Sequence, residues 1–402
     1  MNSVSPTSAA RPPSRRETYG LIAGFAFGWV ILFGGMSSIN SLLPFVRAEF
    51  RLSGSEAGLL TTLFMLPYTL MQIPGGILSD RFGAKRVLIV MVLFAGVNLT
   101  VSGLWPFGLF VFVPVMMLYR LGCSVYYPTS FSTSAGMVPT KERGFVAALL
   151  TMGSAIGGAV GIGVAVPLCY LAGGSWRFPL LVYGLLTLTL PVLFQLLKWP
   201  EQRRSGASFS GLTGVLRDRT VIALLAINFA TNYGSNAVLV WGPSFLGAER
   251  GFTAIGAGFY IALVNVIGFP AGVLSGILSD RFGRRSLTMF LFLIAGLSVG
   301  ALALFGTRPF VLGAVIAYGI FGKWTVDGPL IAMLGDHATA KYPTMGNAVF
   351  GVANSARMIG GLLSPLVTGV LLDQTGTLAS GLLLAAVVLG VAGLLVLVIP
   401  RG

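Results

Sequence analysis

The sequence predicts an all-α membrane protein made of two related six-helix halves, and three observations predict it. Hydrophobic residues make up 55% of the 402 positions and charged residues only 9%, where a soluble domain is about a quarter charged; the mean hydropathy is +0.87. Apolar runs of the roughly 20 residues needed to cross a bilayer recur along the whole chain. The stretch Gly76-Ile-Leu-Ser-Asp-Arg-Phe-Gly83 returns unchanged as Gly276-Ile-Leu-Ser-Asp-Arg-Phe-Gly283. A repeat at half the chain length marks an internal duplication.

Taken in order, residues 1–18 are polar, basic and rich in Pro and Ser, and read as a cytoplasmic tail without the pattern of a cleaved signal peptide. Apolar segments follow at 19–45, 55–79, 87–105, 108–137, 143–171 and 176–198, which form the N-terminal bundle, 19–198. The polar stretch 199–219 is the cytoplasmic linker. Six more segments, 220–247, 254–279, 286–306, 309–337, 344–372 and 378–399, form the C-terminal bundle, 220–402. With both termini inside, 18 of the 26 Lys and Arg residues fall on cytoplasmic segments, 5 on the opposite loops and 3 within helices. That asymmetry supports an even number of spans with cytoplasmic termini. Pro44, Pro67, Pro114, Pro167, Pro243, Pro270 and Pro365 lie in or near helices, where a membrane protein tolerates kinks.

The formal net charge of +14 would suggest nucleic acid in a soluble protein. Here the charges sit in short loops, so they read as orientation signals and contacts to the lipid bilayer, and no nucleic-acid partner is expected. Cys123 and Cys169 lie inside apolar runs and read as small buried hydrophobes. His337 is the single histidine, so no metal site is expected. Gly153, Gly157 and Gly161 give one helix face a smooth stripe, suited to close packing and, in a second reading, to sliding during conformational change. No phosphate-binding loop or nucleophile motif stands out, so neither an enzyme, a cofactor nor ATP-driven transport is expected.

The doubled stretch joins the second and third helices of each half and is followed by basic residues. Gly76, Asp80, Arg81, Gly83, Lys85 and Arg86, then Gly276, Asp280, Arg281, Gly283, Arg284 and Arg285, match the pattern Gly-x-x-x-Asp-Arg-x-Gly. This resembles the signature of the major facilitator superfamily, and the twelve-helix plan extends the resemblance over essentially the whole chain. It implies two six-helix bundles, related by a pseudo-two-fold axis, around a central cavity that opens alternately to either side. Asp80, Arg81, Asp280 and Arg281 are then gating residues, an acid and a base near helix ends that latch the halves in one state. The run Arg120-x-Gly122, Tyr127-Pro128, Met137-Val-Pro-Thr-Lys-Glu-Arg-Gly144 and Ser175-Trp-Arg177 looks like the anion:cation symporter branch, which handles organic carboxylates. That branch usually carries an acid soon after the helix-four glycine and Asp-Arg in the first helix. This chain has Cys123-Ser124-Val125 and Ser37-Ser38-Ile39-Asn40 there, so that acid's coupling role does not carry over.

Four ionisable residues sit mid-segment: Arg120, Lys323, Asp327 and Arg357. A charge at mid-membrane costs about 3 kcal/mol or more unless it is paired or wetted. Arg120 and Lys323 occupy nearly equivalent places in the two halves; the resemblance implies that the fourth and tenth helices line the cavity, so that both cations face one central space. Lys323 and Asp327 are four apart on one helix face and neutralise each other when the site is empty. The alternative is a buried pair that pins the tenth helix. Asp327 is the candidate proton-coupling group. Arg357 either faces the cavity or pairs with the tenth helix, and Arg120 has a structural alternative. Tyr68, Tyr127, Asn232, Tyr233, Asn236 and Trp324 complete the candidate substrate site, with Asn40, Gln72 and Asn265 nearby.

Three cations against one acid favour a small anionic substrate, with protons as the coupling ion. The expected function is secondary active transport of an organic anion, a carboxylate by class, through proton symport or anion exchange, by a monomer in a bacterial inner membrane. The alternative is a proton-coupled exporter of drugs or metabolites. Such exporters often carry Gly-x-x-x-Gly-Pro-x-x-Gly-Gly in helix five, where this chain reads Gly153-Ser-Ala-Ile-Gly157-Gly158. A non-transporting receptor is a third class, less suited to a charged cavity.

Overall fold

The computed structural model describes residues 14–71, 74–75, 78–79, 82–139, 142–200, 216–341 and 346–399, and no strand occurs among them. The first half holds α1 (Arg15–Phe50), α2 (Gly54–Leu70), α3 (Ala84–Leu104), α4 (Leu109–Cys123), α5 (Tyr126–Met137), α6 (Arg143–Leu171) and α7 (Arg177–Leu196). The second holds α8 (Arg219–Arg250), α9 (Ala254–Phe282), α10 (Arg284–Leu304), α11 (Arg308–Phe321), α12 (Lys323–Lys341), α13 (Gly346–Thr375) and α14 (Ala379–Leu395). The fourth span is α4 plus α5, interrupted at Ser124–Val125, and the tenth is α11 plus α12, interrupted at Gly322. Among the described residues fourteen helices therefore make twelve spans. Ten helical stretches among the described residues are long and apolar enough to cross a membrane by length and composition alone. The two others are α2, described over 17 residues, and α8, which carries Asn228, Thr231, Asn232, Ser235 and Asn236.

Local sequence explains where the helices start. Ser14 accepts from the Glu17 N–H while Glu17 reaches back to the Ser14 N–H, a reciprocal capping box, and Ser53 and Glu56 do the same for α2. Because of that box, α1 starts at Arg15 rather than at residue 19. Asp218 and Thr253 cap α8 and α9 at the matching places of the second half. The closing glycine of each repeated octapeptide turns the chain with positive φ, +91° at Gly83 and +82° at Gly283, a region that disfavours side chains. Two residues on, Lys85 Nζ donates to the carbonyls of Gln195 (3.1 Å) and Leu197 (3.5 Å), and Arg285 donates to those of Val396 (3.2 Å) and Leu397. The basic residue after each motif thus caps the last span of its own half.

Packing repeats the duplication. α1 lies along α6 and α3 along α7; in the second half α8 lies along α13 and α10 along α14. A Cβ at Gly153, Gly157 or Gly161 would come within 2.3, 2.7 or 2.3 Å of the carbonyls of Ala26, Val30 and Gly34. The glycine stripe therefore seats α6 on α1 inside one half, which is the packing role. Between the halves, α2 packs on α13 and α6 on α9.

The end at which α1 begins and the last span finishes is here the proximal end, and the other the distal end. Contacts between the halves gather distally. Asp373 accepts from the Gly54 and Ser55 N–H groups, both at 2.6 Å, and Thr62 donates to the Leu362 carbonyl at 2.8 Å. The Arg47 guanidinium stands 5.8 Å from the centroid of a Trp241 ring. Toward the proximal end, Val273 and Ile331, which line the wider cavity, are exposed. Of the expected gating residues, Asp80, Arg81 and the Asp280 side chain lie outside the described residues, while Arg281 is exposed. The linker falls mostly outside them too, over 201–215.

Candidate functional site

Two joined cavities occupy the seam between the halves. The deeper one, about 130 Å³, is lined by Ser37, Asn40, Thr61, Tyr68, Arg120, Asn232, Ser235, Asn236, Asn265 and Lys323 among others. The other, about 380 Å³, widens toward the proximal end past Trp29, Tyr127, Trp324, Asp327, Asn354 and Arg357. Phe33, Tyr68, Asn232, Lys323 and Met358 line both, so Lys323 stands where they meet.

Arg120 is the last long side chain before the break in the fourth span. It is 6% exposed and, among the described residues, has no acid in contact and no partner at Nε; Nη2 donates to the Met36 carbonyl at 2.7 Å and Nη1 approaches Met65 Sδ at 3.3 Å. Lys323 is the first residue after the break in the tenth span. The two cations thus enter one cavity from opposite halves, one ahead of its helix break and one behind. Lys323 Nζ lies 5.2 Å from the centroid of the Trp324 ring, a cation–π contact, and Trp324 Nε1 donates to Asn265 Oδ1 at 3.1 Å.

The pairing expected between Lys323 and Asp327 is not the one found. Asp327 Oδ2 takes the Arg357 guanidinium in an ion pair, each side chain 15% exposed, and Arg357 Nε donates to Asn232 Oδ1 at 3.4 Å. This joins α12, α13 and α8. Arg357 reaches across from α13 with a long planar fork suited to a carboxylate, whereas Lys323 turns onto the neighbouring indole. Lys323 forms no ion pair among the described residues. Asp327 Oδ1 has no hydrogen-bond partner among them.

Nine of the ten expected substrate and coupling residues line these cavities: Tyr68, Arg120, Tyr127, Asn232, Asn236, Lys323, Trp324, Asp327 and Arg357. Tyr233 does not. Its ring is buried and stacked on Phe229, 5.8 Å between centroids. Its neighbours Asn232 and Asn236 face the seam one helical turn apart. Gln72 lies outside the described residues. Sequence reasoning passed over Asn354, which lies one turn from Arg357 on the same helix face and was legible by that spacing. It also passed over Trp29, Ser37, Thr61 and Ser235, whose places depend on how the helices rotate. His337 lies far from the cavity in a proximal cluster, with Nε2 2.8 Å from Asp218 Oδ2 and Lys341 Nζ at the same distance. No group of metal-ligating side chains occurs among the described residues.

Comparison with known proteins agrees with this architecture. Residues 25–365 match the family model described as Major Facilitator Superfamily. A probable sulfoacetate transporter of Cupriavidus necator is 26% identical over 89% of this chain and 88% of its own length. A hexuronate transporter of Bacillus subtilis is 26% identical over the same shares. A multidrug efflux protein of Bacillus subtilis is 24% identical over 87% of this chain and 85% of its own. Among solved structures, a bacterial homolog of the human lysosomal transporter Spinster, in an inward-facing and occupied conformation, superposes with a TM-score of 0.79. It covers 96% of this chain and 97% of its own, at 16% identity, a likeness of fold.

Proposed function

The chain belongs to the Major Facilitator Superfamily, and from that premise we propose that it is a secondary active transporter of a small organic anion, a carboxylate or a related acid. The observation that carries this is the charge at the seam: Arg120, Lys323 and Arg357 against Asp327 alone. Cations facing a wetted space from both halves make a clamp that closes on an anion and is costly to leave empty. Relatives named for sulfoacetate and hexuronate support the substrate class.

The distribution of basic residues supports a cytoplasmic proximal end. The contacts between the halves at the distal end then support a reading in which that side is closed and substrate enters from the cytoplasm. Substrate bound between Arg120 and Lys323 draws the halves together, and release of the distal contacts lets the cavity open to the other side. Asp327 is the coupling candidate. Protonating its carboxyl frees Arg357, so the charge available to the substrate depends on the proton. Proton symport and anion exchange are both compatible with that arrangement. A drug-exporter reading draws on the efflux relative, but a cavity of net positive charge repels lipophilic cations.

Uptake of labelled short carboxylates by purified protein in liposomes tests the proposal, alongside Arg120→Gln. Saturable uptake that the substitution abolishes supports it. Uptake of lipophilic cations, with no anion transported, would overturn it.

A further inference from the structure

The number of charges in the cavity bears on the valence of the substrate as well as its sign. Three cations and one acid line the joined cavities, which leaves a net charge of 3 − 1 = +2. The acid is already engaged, because Asp327 carries the Arg357 guanidinium. Among the described residues the two remaining cations are held by neutral groups alone. Arg120 is held by a carbonyl and a thioether, with Nε unpartnered; Lys323 is held by the face of an indole. These contacts position a cation without neutralising it. A monoanion in this space would cancel one charge and leave the other uncompensated in a low-dielectric seam.

The two cations differ in kind and in place. Arg120 belongs to the first half, is buried, and presents a planar set of donors suited to a carboxylate or sulfonate. Lys323 belongs to the second half and is a point charge at the junction of the two cavities. Asn265 also lines the deeper cavity; its Oδ1 accepts from Trp324 Nε1 and its Nδ2 is buried without a partner among the described residues.

We infer that the substrate is a compact dianion that bridges the halves, with one anionic group on Arg120 and the second on Lys323. This rests on the anion-transport reading of the same cavity. Lys323 is then the residue that selects valence. Arg120 supplies the affinity common to any small acid.

The test is a thermal-shift titration of the purified full chain with short dicarboxylates, each paired with its own monoamide, for example succinate with succinamate. The pair differ in one charge and little in size. A dianion is expected to stabilise the protein at a concentration about tenfold lower than its monoamide. In Lys323→Gln that ratio falls to about threefold or less while the monoamide is still bound, and in Lys323→Arg it is kept. Should the Lys323 variants fail to fold, the ratio in the unaltered protein decides. If monoamides bind as well as dianions, the dianion inference is overturned and the anion transporter stands. If lipophilic cations bind and neither acid series does, both readings fall.

Discussion

Asp373→Ala is expected to loosen the distal closure. Asp373 stands on the second half and accepts from the N–H groups of Gly54 and Ser55 on the first, 2.6 Å each. Hydrogen bonds to a charged group contribute about 1.5–3 kcal/mol each, and a carboxylate at a helix N-terminus adds about 0.3–1 kcal/mol. The site is exposed to water, which screens both effects, so the whole contact is worth about 1–2 kcal/mol. Removing it shifts the balance between distally closed and distally open states about 5- to 30-fold. Asp373→Asn, which keeps an acceptor but not the charge, falls between. The reporter is Asn40→Cys, a cavity-lining position, alkylated by an impermeant maleimide added from the distal side. Cys123 and Cys169 are both buried and give little background. The alkylation rate should rise about fivefold or more in Asp373→Ala. A rate equal to that of the parent would refute the latch, and with it the assignment of the closed end.

Arg120→Gln should lower substrate affinity about 100-fold or more, read by flux and thermal shift, while the melting temperature without ligand changes little, since only a carbonyl and a thioether lose a donor. Asp327→Asn leaves Arg357 in the seam without its counter-charge, and should reduce stability by about 3 kcal/mol. Replacing Arg357 by Gln in the same protein should restore most of that. The pH dependence of uptake should vanish in Asp327→Asn; a profile like the parent's rejects the coupling role. Lys85→Ala and Arg285→Ala should each lower stability by about 1 kcal/mol through lost caps on α7 and α14, with substrate affinity unchanged in a binding titration.

What the sequence determined by itself is the plan of the molecule. Hydropathy and charge are read one segment at a time, and a bilayer imposes a length on every segment, so spans and halves are legible along the line of the chain. The doubled octapeptide added the symmetry, which reappears in the matching helix pairs and in the caps made by Lys85 and Arg285. Most of the cavity was legible for the same reason, since a charge or an amide inside an apolar run has few places to go. The pairings, by contrast, come from the way the helices pack. Spacing put Lys323 and Asp327 on one face, yet Asp327 takes Arg357 from another helix, because a longer fork reaches across α12 and α13 better than a lysine beside its own tryptophan. Tyr233, one residue from Asn232, turns into its own bundle onto Phe229, since neighbouring positions point about 100° apart around a helix. The breaks at Ser124 and Gly322 and the closed distal end were likewise invisible. Those features depend on how helices distant in the sequence pack against one another, which no single segment encodes.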